Sequence, residues 1–173
     1  MPVRSLTTEL LASDAGLRAT YPVALDLSAP RFQIDSLEGL AVVRHDVLRS
    51  LTLDDNALAS VEGIGRFGAL RTLSAARNLI AGVTLSHLTR LQELGLAGNL
   101  LTAVPSLISC TALQTLDLSS NRICAGYDRL RTVPKLTTLL LAANRVEASE
   151  RAPSPRKRHP KRLPTPCRPS SAS

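Results

Sequence analysis

The residues of this chain that could do chemistry are few and scattered. Gly63-Ile64-Gly65-Arg66-Phe67-Gly68 spells G-x-G-x-x-G, which in a dinucleotide site follows a strand and opens a long helix. Here Ile64 and Phe67 share a three-residue apolar spacing with Val61 and Leu70, and no crossover helix fits before Leu70. The glycines are therefore expected to serve a tight turn. His45-Asp46 could pair a base with an orienting acid, yet the sequence places no serine or cysteine to complete a triad. His87 and His159 form no pair with metal-ligand spacing, and no cysteines stand at C-x-x-C distance, so no metal set is expected. Cys110 and Cys124 occupy apolar repeat positions and are expected to be small buried hydrophobes. Without an activated nucleophile, metal set or phosphate loop, the sequence predicts no enzyme, no cofactor and no small-molecule substrate.

Charge is concentrated at one end. The chain carries 21 Lys and Arg against 14 Asp and Glu. Seven of those bases and none of the acids fall in residues 151–173, so residues 1–150 are balanced and the end supplies the whole net charge of +7. That segment also holds six of the eleven prolines and is expected to be a disordered tail with extended stretches. It could attract an acidic partner or RNA phosphates, but it has no aromatic residue to stack on bases. Ser154-Pro155-Arg156-Lys157 and Thr165-Pro166-Cys167-Arg168 resemble the consensus of proline-directed kinases, making Ser154 and Thr165 candidate phosphosites whose modification would cancel local positive charge. Arg156 to Arg162 resembles a nuclear import signal. The three cysteines are odd in number and no signal peptide or long apolar run is visible, so a reducing interior, nucleus or cytoplasm, is expected, with no membrane span.

What positions the remaining polar residues is a repeat. Asn56, Asn78, Asn99, Asn121 and Asn144 fall 22, 21, 22 and 23 residues apart. Each closes the same frame, as in L91-Q-E-L-G-L-A-G-N and L113-Q-T-L-D-L-S-S-N. A fixed period of this length means units that bury their apolar faces only against one another. The frame L-x-x-L-x-L-x-x-N is that of a leucine-rich repeat. It predicts an α/β class, right-handed solenoid with a parallel concave sheet and convex 3₁₀ or short helical segments. Alternation sends Leu51 and Leu53, Leu73 and Ala75, Leu94 and Leu96, Leu116 and Leu118, and Leu139 and Leu141 inward. The asparagines form a structural ladder, each amide donating to and accepting from backbone groups of adjacent coils.

Beyond each asparagine the apolar spacing changes to three, in Val61-Ile64-Phe67-Leu70, Val104-Leu107-Cys110-Leu113 and Tyr127-Leu130-Val133-Leu136. That spacing suits 3₁₀ turns. Leu25-Asp26-Leu27 opens a degenerate first coil, giving a repeat domain over 21–150 with five clear repeats and one weak one. Leu6, Leu10, Leu11 and Leu17 suggest a capping helix within residues 1–20. The concave face offers Ser50, Thr52, Asp54, Thr72, Ser74, Arg77, Glu93, Thr115, Asp117, Ser119 and Thr138 as candidate partner-binding residues. They are mostly small, leaving a groove for a protein partner that brings its own anchors.

The chain resembles the short, roughly 22-residue class of intracellular repeats over about residues 21–148. Leu6-Thr7-Thr8-Glu9-Leu10 followed by Leu25-Asp26-Leu27 is similar to the start of the spliceosomal A-prime leucine-rich protein. Leu25-x-Leu27 followed by Leu37-Glu38-Gly39-Leu40 is similar to the acidic leucine-rich nuclear phosphoproteins. The first resemblance implies a concave face that binds an RNA-recognition-motif protein within a ribonucleoprotein; the second implies chromatin or phosphatase regulation. Phosphatase-regulatory and dynein-associated adaptors share the repeat. Two departures stand out: the end is basic where the second group ends acidic, and Leu140 stands where both closing caps have an aspartate. The sequence then runs from a further repeat into the proline-rich end, as a shortened or alternatively ended array would. The last coil is expected to expose Leu139, Leu141 and Val146.

Overall fold

The computed structural model describes residues 24–26, 34–37, 40 and 45–145. The expected capping helix, Val146, and the basic segment with Ser154 and Thr165 lie outside them. Six three-residue strands form one sheet: β1 (Ala24–Asp26), β2 (Ser50–Thr52), β3 (Thr72–Ser74), β4 (Glu93–Gly95), β5 (Thr115–Asp117) and β6 (Thr138–Leu140). They pair in chain order, all parallel. The register aligns Leu25, Leu51, Leu73, Leu94, Leu116 and Leu139, and from Leu51 onward the middle leucine of each frame stacks on the next.

The return segments hold no α-helix among the described residues, and the helical part of the expected α/β class is 3₁₀ only. Such turns span Ile64–Arg66 and Tyr127–Thr132. In the third expected segment, Cys110 N–H donates to Leu107 C=O at 2.8 Å and Leu113 N–H to Cys110 C=O at 3.1 Å. These two bonds are not consecutive, so they close single turns and no 3₁₀ run forms there. In two of the three segments the whole apolar set is buried all the same: Val61, Ile64, Phe67 and Leu70, and Val104, Leu107, Cys110 and Leu113, are closed to solvent. Together with the strand leucines they make one core running through the stack.

A second repeat, invisible in residue types, sits just before each asparagine. Asp55, Arg77, Gly98, Ser120 and Ala143 all have φ between 53° and 65°. The left-handed residue ends the strand and swings the asparagine inward, a conformation that costs a side-chain-bearing residue of the order of 1–2 kcal/mol. The asparagine makes that turn worthwhile. Asn99 Nδ2 donates to Ala75 C=O of the preceding coil at 2.9 Å and to Leu96 C=O of its own coil at 3.0 Å. Its Oδ1 accepts Ile80 N–H at 3.0 Å. Asn121 repeats the pattern on Leu96, Leu118 and Leu101, and Asn144 on Leu118, Leu141 and Ile123. Asn78 reaches Leu53 and Leu58, and Asn56 accepts Ile34 N–H. Each amide thereby ties one coil to the one before it through groups that the core would otherwise leave unpaired.

Asn99→Ala orphans Ile80 N–H and Ala75 C=O, while Leu96 C=O keeps Asn121 Nδ2. It is expected to lower unfolding stability by about 1–3 kcal/mol, read as a shifted urea midpoint. Superimposable melts would remove the ladder from the account.

Candidate functional site

The concave surface is built from the strand positions that alternate with the buried leucines. At the C-terminal end of each strand pair the registered row reads Thr52, Ser74, Gly95, Asp117 and Leu140. Ser50, Thr52, Thr72, Ser74 and Thr115 are half-buried, whereas Glu93 and Thr138 are exposed. The structure brings these residues onto one continuous floor. Gly95 leaves a gap beside Ser74, whose Oγ would lie 3.2 Å from an added Cβ.

The carboxylates on this floor are engaged in holding it. Asp54 Oδ1 accepts both Ser74 Oγ–H at 2.7 Å and Ala76 N–H at 2.8 Å, linking the ends of two strands. Asp117 Oδ1 accepts Ser119 N–H at 2.9 Å and Ser119 Oγ–H at 2.6 Å, which fixes its own turn. Asp54, Asp117, Ser74 and Ser119 are thus satisfied by neighbours before any partner arrives. Arg77 occupies a left-handed turn position at the strand end and is exposed. Its Nε and Nη2 grip Asp55 Oδ1 and Oδ2 at 2.5 and 2.6 Å, side-on and bidentate. The bond to Arg77 holds the Asp55 carboxyl below the usual carboxylate range, and the same bond raises Arg77. Asp55 is a contributor that the sequence pattern does not mark, because its turn position has no shared residue type. Its exposed pair adds little to stability and fixes where one charged fork sits on the rim.

Other sequence candidates land elsewhere. Gly63 has φ 85° and opens the 3₁₀ turn, and a Cβ at Gly65 would stand 2.7 Å from Ser86 C=O of the next coil. Turn geometry and close coil approach therefore account for the first two glycines of G-x-G-x-x-G, and the turn they open is three residues long. His45 and His87 are exposed. Cys110 is a free, buried thiol. Cys124 is half-buried, which corrects the expectation of a small buried hydrophobe. Among the described residues no group of three or more His, Cys, Asp or Glu is placed to hold a metal ion. No helix among them is long and apolar enough to cross a membrane. Two clefts of about 430 and 340 Å³ lie off the concave floor, the first beside Arg66 and Phe67, the second beside Pro105 and Arg129.

Comparison with known proteins agrees with this geometry. A family model for leucine-rich repeats in two copies matches residues 89–130. The fold is a leucine-rich-repeat solenoid of about 22 residues per coil. Among curated proteins, a probable inactive serine/threonine-protein kinase of Dictyostelium discoideum is 31% identical over 134 residues, 76% of this chain. The chain spans only 6% of that relative. Among solved structures, an internalin of Listeria monocytogenes shares the fold with a TM-score of 0.60 and 23% identity, over 68% of this chain and 34% of that one. A chain of the Toll–Spatzle complex of Drosophila matches with a TM-score of 0.60 and 26% identity, over 65% of this chain and 16% of its own length. Such an array offers a surface of the kind that binds proteins.

Two measurements check these local assignments. Gly65→Ala is expected to destabilise the leucine-rich-repeat domain by about 1–3 kcal/mol through its clash with Ser86, and Gly68→Ala, whose Cβ would lie in ordinary contact 3.9 Å from His87 C=O, by less than about 0.5 kcal/mol. Burial pushes the Cys110 thiol from an ordinary value of 9.0 up to about 11. A thiol held neutral in the fold stabilises fully below the unfolded value, and the contribution is lost as pH rises from about 9 through about 11. The stability gap between the wild type and Cys110→Ala should therefore narrow across that window in urea melts.

Proposed function

We propose that the solenoid is a non-enzymatic scaffold whose concave face, from Ser50 across to Thr138, seats a protein partner. The observation that carries this reading is the floor itself. It is a continuous parallel sheet lined by small side chains, with the carboxylates of Asp54 and Asp117 already engaged. A pre-satisfied floor can meet a partner without first breaking its own hydrogen bonds, and its rigidity limits the ordering cost of association. With Arg77 tied to Asp55 at one rim and Glu93 exposed further along the sheet, charge contributes register and rate more than affinity. The fold shared with a chain of the Toll–Spatzle complex supports the reading, as does the resemblance to the A-prime group. In this reading the array performs no chemistry of its own, and identity within the small nuclear groups would be set by the partner it selects.

Asp54 and Asp117 are poor probes of binding because they hold the sheet. Glu93 and Thr115 are better, since neither side chain makes a hydrogen bond among the described residues and both line the floor. Affinity capture from cell extract with the full chain should recover a protein partner that the Glu93→Arg, Thr115→Arg double variant loses by at least about tenfold (about 1.4 kcal/mol). Nuclease treatment and deletion of 151–173 should leave the recovery in place. The same proteins captured by the double variant would contradict a concave site, and loss on nuclease treatment or on deletion would transfer the function to the basic segment and RNA.

A further inference from the structure

The two ends of a parallel stack are chemically different, and the last coil of this one departs from the rest in three ways at once. The first is its backbone. Leu118 and Ser120 N–H donate to Leu140 and Ala142 C=O, so the even-numbered residues of β6 face β5 and Leu139 and Leu141 turn their backbone groups outward. In earlier coils the N–H groups of Leu53, Ala75, Leu96 and Leu118 each donate to the next strand. Leu141 holds the same place in the frame, and no strand lies beyond it among the described residues.

The second departure is apolar exposure. The stacked leucines of β2 to β5 are at most 1% exposed, whereas Leu139 is 37% exposed. Beside it Leu140, 47% exposed, takes the concave row position that reads Thr52, Ser74, Gly95 and Asp117 elsewhere. An edge strand that gains an apolar residue on its open face is the opposite of the usual protection of edges.

The third is charge. Residues 45–121 carry five basic and six acidic residues, whereas residues 122–145 carry five basic and one acidic. Arg122, Arg129, Arg131, Lys135 and Arg145 are all exposed, with Asp128 the acid among them.

We propose that the outer edge of β6 is a docking site for an extended acidic segment of a partner protein, which adds to the sheet as a further strand. Main-chain bonds to Leu139 and Leu141 hold the segment, alternate apolar residues of the segment cover Leu140 on the concave side, and its carboxylates, on the other side, face the basic coil. Charge decides between this occupant and a second copy of the chain, because self-pairing would press two basic coils together. Stacking decides against a nucleic acid: the aromatic of the coil, Tyr127, is half-buried, with its hydroxyl donating to Ile123 C=O at 3.3 Å. The site shares Leu140 with the concave row, but its main-chain edge lies beyond the floor and does not depend on the function proposed for it.

The test uses the full chain and three labelled probes in fluorescence anisotropy at about 0.15 M salt: a capped octapeptide alternating Glu and Val, one alternating Glu and Gly, and an oligouridine. The Glu–Val peptide should bind at least about tenfold tighter than the Glu–Gly peptide, which carries equal charge but neither strand preference nor apolar cover. Leu141→Pro removes an outward N–H and leaves the β5-facing bonds in place, and Leu140→Thr restores the polar row. Each should weaken the Glu–Val peptide by about tenfold. Equal affinity for the two peptides, or indifference to both edge variants, would reduce the effect to charge alone and overturn the proposal. Tighter binding of oligouridine, or a dimer in sedimentation that both edge variants dissolve, would overturn it in favour of those occupants.

Discussion

One side-chain amide per coil carries the constraint on which this structure rests. A strand of three residues cannot by itself satisfy the backbone on either side of it, and the turn that follows must carry polar groups into an apolar interior. The asparagine resolves both problems, accepting one N–H and donating to carbonyls in its own and the preceding coil. A shorter or longer polar side chain would miss one of these groups, which is why the same residue closes every frame while its neighbours vary. The left-handed residue before it is the geometric cost of this arrangement, accepted even by Arg77 and Ser120. Everything else follows from the stacking so enforced: the leucine column, the parallel sheet, and a concave floor whose positions are fixed coil by coil.

Much of this is readable from residue types. Asn78, Asn99 and Asn121, with the leucines spaced around them, fix which residues are buried, because period and polarity alone determine the inner face. The 3₁₀ expectation is realised at Ile64–Arg66 and Tyr127–Thr132 but not around Leu107, where spacing sets burial without setting the hydrogen bonds. The left-handed position is hidden because Asp55, Arg77, Gly98, Ser120 and Ala143 share a conformation and no chemistry. For the same reason the roles of Asp54 and Asp117 are not legible: an acid on a concave strand looks available for a partner until its oxygen is found on Ser74 or Ser119. The exposure of Leu139 agrees with the expectation for the last coil, whereas Leu141, expected to be exposed with it, is half-buried against the core.

The surface chemistry divides along the same line. The middle of the sheet is small, polar and internally satisfied, suited to shape-matched contact with a folded partner. The final coil is apolar at its edge and basic around it, suited to an extended acidic segment. A curved array can hold both because its coils differ only in the residues that the stack leaves unconstrained. Whatever either surface binds, its precision depends on the rigidity of the ladder beneath.

That dependence is most directly tested by native-state hydrogen exchange at the amides of Leu58, Ile80, Leu101 and Ile123, which donate to the asparagine oxygens. If the coils form one cooperative stack, these four exchange slowly, with similar opening free energies that match the stability from denaturant melts. Exchange at loop-like rates, or four unrelated opening energies well below the global value, would mean that the coils are not bound together by the ladder.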